Sequence, residues 1–104
     1  MGNKYGTTPL HYAAKCGYND ITKLLIDEGA ELNKTNIWGK TPLSGAVLYG
    51  KKDMVKLLVD SGADQTIEND EGQTPLYRAR EKGYFEIVNI LDGQEQPRQT
   101  CREQ

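Results

Sequence analysis

The chain has 104 residues and a net charge of −2, with 13 lysines and arginines against 15 aspartates and glutamates. Because its basic residues are scattered and form no concentrated face, we expect no nucleic-acid partner. No apolar run approaches the roughly 20 residues of a membrane span, so we expect no membrane association. The two cysteines, Cys16 and Cys101, show no disulfide-framework spacing. They predict free thiols in a reducing compartment, which is the cytoplasm or the nucleus.

A short pattern occurs three times along the chain. It begins with glycine, continues with Thr-Pro-Leu and ends with another glycine, and its copies cover residues 6–17, 39–50 and 72–83. The interval between copies is 33 residues each time. A register this strict predicts an array of stacked units that share a continuous core.

Each unit starts with a short predicted helix. Its threonine suits the N-cap, where the hydroxyl accepts a hydrogen bond from a free helix amide. The proline that follows suits the first helical position, and the closing glycine suits the left-handed residue that ends a helix. In the second unit Leu43, Ala46 and Val47 fall at i, i+3 and i+4, which predicts one buried face.

Each unit continues with a longer predicted helix that carries a wider apolar stripe. The i, i+3, i+4 spacing of the stripe predicts that one face of this helix is buried. The stripe residues are Ile21, Leu24 and Leu25 in the first unit, Met54, Leu57 and Leu58 in the second, and Ile87, Ile90 and Leu91 in the third. Gly29 and Gly62 end the first two of these helices, and turns that contain Asn and Gly lead to the next unit.

The pattern Gly-x-Thr-Pro-Leu-His-x-Ala-Ala-x-x-Gly, followed by a helix that ends Leu-Leu-x-x-x-Gly-Ala, resembles the ankyrin repeat. The first unit matches best, with Thr-Pro-Leu-His intact at residues 8–11. The resemblance implies an all-α solenoid of stacked helix-turn-helix units with β-hairpin loops. We expect an ankyrin repeat domain over residues 1–93, followed by a disordered polar tail over residues 94–104. The predicted repeats cover about 3–35, 36–68 and 69–93.

The units depart from the shared pattern at several positions. His11 is replaced by Ser44 and then by Tyr77, and Gly45 should loosen the middle first helix slightly. In the third unit Arg80 stands at the position that Ala14 has in the first unit, which indicates a polar C-terminal cap. No polar helix precedes the first turn. We expect that upstream repeats exist in a longer protein. Alternatively, the outer face of the first repeat stays exposed and binds another molecule.

No arrangement of residues predicts catalysis. His11 is the single histidine, and Cys16 lies about 140° away from it around a helix. Because Thr8 and His11 stand at i and i+3, we predict a hydrogen bond that fixes the turn, and the resemblance implies the same. One histidine and two distant cysteines cannot complete a zinc site. The Gly-x4-Gly-Lys string at residues 45–51 lacks the Ser or Thr and the preceding strand of a phosphate loop. We therefore expect no enzyme activity and no cofactor.

One modification site is predicted. The string that ends Glu31-Leu32-Asn33 is similar to the site used by the asparaginyl hydroxylase that modifies ankyrin repeats. The resemblance therefore implies hydroxylation of Asn33. The same residue begins an Asn-Lys-Thr glycosylation triplet, which matters only in a secreted protein.

The predicted binding surface consists of positions that vary among the units while the scaffold stays constant. They lie at the turn tips and at the ends of the first helices, which the resemblance places on the concave face that meets partners. The second unit carries Ile37, Trp38, Leu48 and Tyr49 there, a composition typical of interface hot spots. Alternatively, Trp38 and Tyr49 pack on each other or on adjacent turns. The full predicted set is Tyr5, Lys15, Ile37, Trp38, Lys40, Leu48, Tyr49, Asp70, Glu71 and Glu81.

These features predict a non-catalytic module that binds a partner protein or peptide and is a monomer rather than a homo-oligomer. Two alternatives remain open. The chain could be the targeting segment of a larger enzyme or effector, or it could self-associate through its uncapped first face.

Overall fold

The computed structural model describes residues 4–92, which form six helices and no strand. The helices are α1 (Pro9–Cys16), α2 (Asn19–Asp27), α3 (Pro42–Leu48), α4 (Lys52–Asp60), α5 (Pro75–Lys82) and α6 (Phe85–Asp92). The first helices of the repeats pack in one row, because α3 contacts both α1 and α5, and the second helices pack in another, because α4 contacts both α2 and α6. The predicted all-α stack of helix pairs is confirmed. The tail predicted at residues 94–104, with Cys101, lies outside the described residues.

The first helix of every repeat begins and ends as its sequence predicts. The hydroxyls of Thr8, Thr41 and Thr74 each accept the backbone N–H three residues on, and a proline follows each of them. Gly17 and Gly83 take the left-handed conformation after the last helical residue, with φ of 78° and 74°. The turn to the second helix is therefore encoded locally in each repeat.

The core lies between the two rows of helices and is most completely buried in the middle repeat. Leu43, Val47, Val55 and Leu58 are all fully buried there. The middle repeat is covered on both sides, whereas the outer repeats each have one uncovered side within the described part of the chain. Burial therefore follows position in the stack more closely than it follows sequence.

The apolar stripe predicted for α2 is wrong at two of its three positions. Ile21 is 50% exposed and Leu24 is 58% exposed, while Thr22 between them is fully buried. Met54 and Ile87, which occupy the position of Ile21 in the later repeats, are 1% and 2% exposed. The difference arises because α4 and α6 each pack on the second helix of the preceding repeat, whereas residues 4–92 contain no earlier second helix on which α2 could pack.

The connections between repeats are tight turns that stack on one another. In the second turn the Asn36 N–H donates to the Lys40 carbonyl at 3.0 Å, and the Asn36 side chain accepts the Trp38 and Lys40 N–H groups. Successive turns are joined by the Ile37 N–H, which donates to the Tyr5 carbonyl at 2.9 Å. These turns have the connectivity of hairpins without forming strands in residues 4–92. Because they are joined to one another, they present a continuous edge beside the first helices.

Candidate protein-binding surface

A cavity of about 260 Å³ opens between the first and second repeats, on the face formed by the turns and the first helices. We call it the inter-repeat pocket. Six of the ten residues predicted to bind a partner line it. These six are Tyr5, Lys15, Trp38, Lys40, Leu48 and Tyr49. Residues that are far apart in sequence therefore meet in one site. They do so because the 33-residue periodicity places them on matching faces of neighbouring repeats.

One wall of the inter-repeat pocket is a pair of aromatic rings. Tyr5 of the first turn and Trp38 of the second turn stack with their ring centroids 5.5 Å apart and an interplanar angle of 21°. The hydrogen bond from Ile37 to the Tyr5 carbonyl holds the two turns together beneath these rings. Trp38 thus packs on the adjacent turn, yet it remains 49% exposed. An ordered, half-exposed tryptophan offers a partner apolar area at a low cost in conformational entropy.

A lysine stands between two tyrosines on the opposite side. The Lys15 ammonium lies 5.6 Å from the ring centroid of Tyr12 on α1 and 5.6 Å from that of Tyr49 at the end of α3. Cation–π attraction at this distance favours the observed position of the ammonium. Lys4 makes a similar contact at 5.3 Å with Tyr5. Aromatic faces and ammonium groups are therefore combined in one surface.

No carboxylate lines the inter-repeat pocket, and within residues 4–92 neither Lys15 nor Lys40 forms an ion pair. The ion pairs of the described residues lie elsewhere. They join Lys52 to Glu86, Lys56 to Asp60, Arg78 to Glu81 and Arg80 to Asp92. The pocket therefore has a local excess of positive charge although the chain as a whole carries −2.

The pocket also contains Gly45 and Tyr12, which the sequence analysis did not include among the binding residues. Gly45 lies inside α3 at the position that Tyr12 and Arg78 occupy in the other repeats. Its φ is not positive, and a Cβ at this position would meet only the Lys15 Cβ, at 3.9 Å. The backbone therefore does not require glycine here, and the missing side chain leaves space in the pocket. The sequence contained this information, because Gly45 is the one small residue at a repeat position that Tyr12 and Arg78 fill in the other two repeats.

The other four predicted binding residues lie outside the inter-repeat pocket. Ile37 is exposed at the tip of the second turn, and Asp70 and Glu71 are exposed at the third turn. Glu81 on α5 forms an ion pair with Arg78, with its carboxylate 3.1 Å from the Arg78 Nε. The acidic members of the predicted set are thus on the third repeat, and the lysines are on the first two.

His11 has a structural position beneath the pocket. Its Nδ1 accepts the Thr8 N–H at 3.1 Å and contacts the Thr8 hydroxyl at 2.8 Å, which confirms the predicted Thr8–His11 bond. Its Nε2 donates to the Lys40 carbonyl at 2.9 Å, across the boundary between repeats. Burial lowers the pKa of His11 below its ordinary value of 6.5, against the opposing effect of the Lys40 carbonyl. His11 is therefore a neutral connector of two repeats at neutral pH.

Asn33, the predicted hydroxylation site, also connects two repeats. It is exposed, and its side-chain oxygen accepts the Asp64 N–H at 2.8 Å. The hydroxylation itself stays a prediction.

Two family models match this chain. One, described as ankyrin repeats in three copies, matches residues 28–100, and the other, described as ankyrin repeats in many copies, matches residues 1–46. The chain belongs to the ankyrin-repeat family. Ankyrin repeats are protein–protein interaction modules, and domains built from them are generally non-catalytic. A search of curated proteins found no matching relative. None of the helices within residues 4–92 has the length and apolar character needed to cross a membrane.

Proposed function

We propose that this protein binds a partner protein or peptide through the face formed by its turns and first helices, with the inter-repeat pocket at the centre. The observation that carries the proposal is the convergence of Tyr5, Trp38, Lys15 and Tyr49 from two repeats on one open cavity. Large aromatic side chains at the centre of a surface are the residues that contribute most binding energy in protein interfaces.

The physical argument is that these side chains are both exposed and held in place. Trp38 stacks on Tyr5, and Tyr49 lies against the Lys15 ammonium. About half of the surface of Trp38 and of Tyr49 is still open to solvent, at 49% and 51%. Covering that surface would gain hydrophobic free energy, and little rotamer freedom remains to be lost on binding.

The experiment replaces both exposed anchors. Proteins captured from an extract of the source cells by the immobilised wild-type protein are identified and titrated individually. Trp38→Ala combined with Tyr49→Ala should weaken binding by at least about 2 kcal/mol. The control combines Tyr18→Ala with Phe85→Ala, which removes two aromatic side chains that are more exposed than Trp38 and Tyr49 and do not line the inter-repeat pocket. Unchanged affinity in the first variant, with its circular dichroism intact, would rule the proposal out.

A second candidate function is self-association through the uncovered face of the first repeat. It is supported by the exposure of Tyr18, Ile21 and Leu24 on one side of the stack. Exposed apolar patches of this kind occur at protein interfaces. Sedimentation equilibrium of the wild type and of an Ile21→Lys, Leu24→Lys variant tests it. A concentration-dependent dimer present only in the wild type would support it, and a monomer at the highest concentration would exclude it.

A further inference from the structure

We propose that the inter-repeat pocket recognises an acidic peptide segment, with one apolar side chain of the peptide seated against Gly45 and an adjacent Asp or Glu carboxylate on Lys15 and Lys40. This proposal rests on the proposed function and specifies the chemistry of the partner at the same site. Three features of the pocket carry it, namely its charge, its aromatic contacts and its shape.

The charge of the pocket selects an anionic partner. Lys15 and Lys40 both line it, no carboxylate contributes to its lining, and neither lysine is ion-paired in the described part of the chain. The Asp70 carboxylate lies against the Gly39 backbone, but neither Asp70 nor Glu71 lines the pocket, and neither forms an ion pair with Lys15 or Lys40 in the described residues. Complementary charge at an interface fixes partner choice and speeds association.

The aromatic contacts exclude a cationic partner. The rings of Tyr12 and Tyr49 would otherwise suit a lysine or a methylated lysine, because aromatic faces attract cations. The Lys15 ammonium already lies against both rings, at 5.6 Å from each centroid. A cationic partner would be repelled there by the Lys15 ammonium, whereas a carboxylate would be attracted to this ammonium, which has no ion-pair partner in the described residues.

The shape of the pocket suits one side chain rather than a cofactor. Its volume of about 260 Å³ is below the range of roughly 300–1,000 Å³ typical of small-molecule sites. The absent side chain of Gly45 leaves space in the pocket wall that it shares with Tyr12 and Tyr49, and Leu48 adds an apolar side chain to the same lining. A leucine or an aromatic side chain of an extended peptide matches this mixture of apolar lining and limited volume.

The test selects short random peptides displayed on phage against the immobilised wild-type protein. Peptides enriched by the wild type, but not by the Trp38→Ala, Tyr49→Ala variant, should carry an apolar residue next to one or more Asp or Glu. The most enriched peptide is then titrated by fluorescence anisotropy. Lys15→Gln combined with Lys40→Gln should lower its affinity by about tenfold at low salt, with a smaller difference at high salt.

The matched control combines Lys23→Gln with Lys56→Gln, which changes the net charge equally at exposed positions on α2 and α4. Gly45→Leu tests the apolar seat. It should abolish peptide binding without lowering the unfolding midpoint, because leucine favours a helix and a Cβ at this position fits. If Gly45→Leu does not fold, Gly45→Ala is used and should still reduce affinity.

The outcomes separate this proposal from the proposed function. Binding that requires Trp38 and Tyr49, but is equally strong in both lysine variants or selects neutral or basic peptides, overturns the acidic partner and leaves the binding face intact. Undiminished binding by a folded Gly45 variant overturns the apolar seat. If no peptide depends on Trp38 and Tyr49, and captured proteins do not either, both proposals fail together.

Discussion

At the scale of single residues, His11 shows how one side chain joins two repeats. The Thr8 N–H donates to Nδ1, and Nε2 donates to the Lys40 carbonyl, so these partners assign the neutral ring with its proton on Nε2. Protonation of Nδ1 would remove the acceptor of the Thr8 N–H in a buried place. Ser44 and Tyr77 stand at this position in the other repeats and cannot make the same pair of contacts. The first repeat therefore contains a connection that the others lack.

We expect the stability of the protein to fall as the pH is lowered through the titration range of His11. Burial holds the pKa of folded His11 below its ordinary value of 6.5, so near this pH the unfolded chain binds more protons than the folded one. The stabilisation is complete above pH 6.5 and is lost as the pH falls towards the folded pKa. Thermal unfolding followed by circular dichroism across this range measures it.

The control for this prediction is His11→Gln. Glutamine can still accept the Thr8 N–H, as in a capping box, but it does not titrate. Its unfolding midpoint should start lower than that of the wild type and should stay nearly constant across the same range. The pKa of Asp64 is lowered from 3.8 by hydrogen bonds from the Thr66 hydroxyl and N–H, so its titration lies well below the range of His11. A pH dependence that survives in His11→Gln would contradict the assignment.

At the scale of structural elements, the stacked turns depend on the close approach of their backbones. The Asp70 N–H donates to the Trp38 carbonyl at 3.1 Å, and Gly39 stands beside this contact with a φ of 75°. A Cβ on Gly39 would lie 2.8 Å from the Asp70 backbone nitrogen. Gly72 has the same φ of 75° in the third turn, but its Cβ would meet only the end of the Glu68 side chain, at 3.9 Å. The two glycines therefore share a conformation and differ in what is packed against them.

We expect Gly39→Ala to be more destabilising than Gly72→Ala. Both substitutions incur the cost of a left-handed non-glycine residue, about 1–2 kcal/mol. Gly39→Ala must in addition separate the second and third turns, which should add about 1–3 kcal/mol, as overpacking does elsewhere. Urea unfolding of both variants gives the two free energies of unfolding. Equal decreases in the free energy of unfolding for the two variants would show that the second and third turns do not approach this closely in solution.

At the scale of the whole molecule, residues at the same position of different repeats are buried to different extents. Ile21 and Ile87 have the same chemistry and the same place in their repeats, 66 residues apart. Ile87 is buried because α6 packs on α4, whereas the corresponding side of α2 has no neighbour in residues 4–92. Val55 is fully buried on α4, which has a second helix on each side, whereas Val88 is only half-buried on α6, which has no later helix beside it in residues 4–92.

We expect Ile87→Ala to cost about 2–4 kcal/mol, because it removes a buried side chain and leaves a cavity. Ile21→Ala should change the free energy of unfolding by no more than about 0.5 kcal/mol, as at other exposed positions. Urea unfolding at low protein concentration measures both values. A large loss for Ile21→Ala would mean that this face is covered in solution, and it would favour self-association.

Much of the fold could be predicted from the sequence because its signals are local. The threonine caps, the prolines and the left-handed glycines act within a few residues of themselves, so they have the same effect in every repeat. Thr8 and His11 are one helical turn apart, and their hydrogen bond was predictable for that reason. The candidate site was predictable in part, since variation between repeats pointed to Trp38, Tyr49 and Lys15.

By itself, the sequence determined the class of fold, the boundaries of the first helices and the face on which variable side chains gather. Only the tertiary structure decided which of these side chains meet. The Tyr5–Trp38 stack, the position of Lys15 between two tyrosines and the space beside Gly45 all depend on contacts between repeats. It also decided that Ile21 is exposed and Ile87 is buried. The physical reason is that burial is a property of neighbours in the stack, whereas caps and turns are properties of the chain segment.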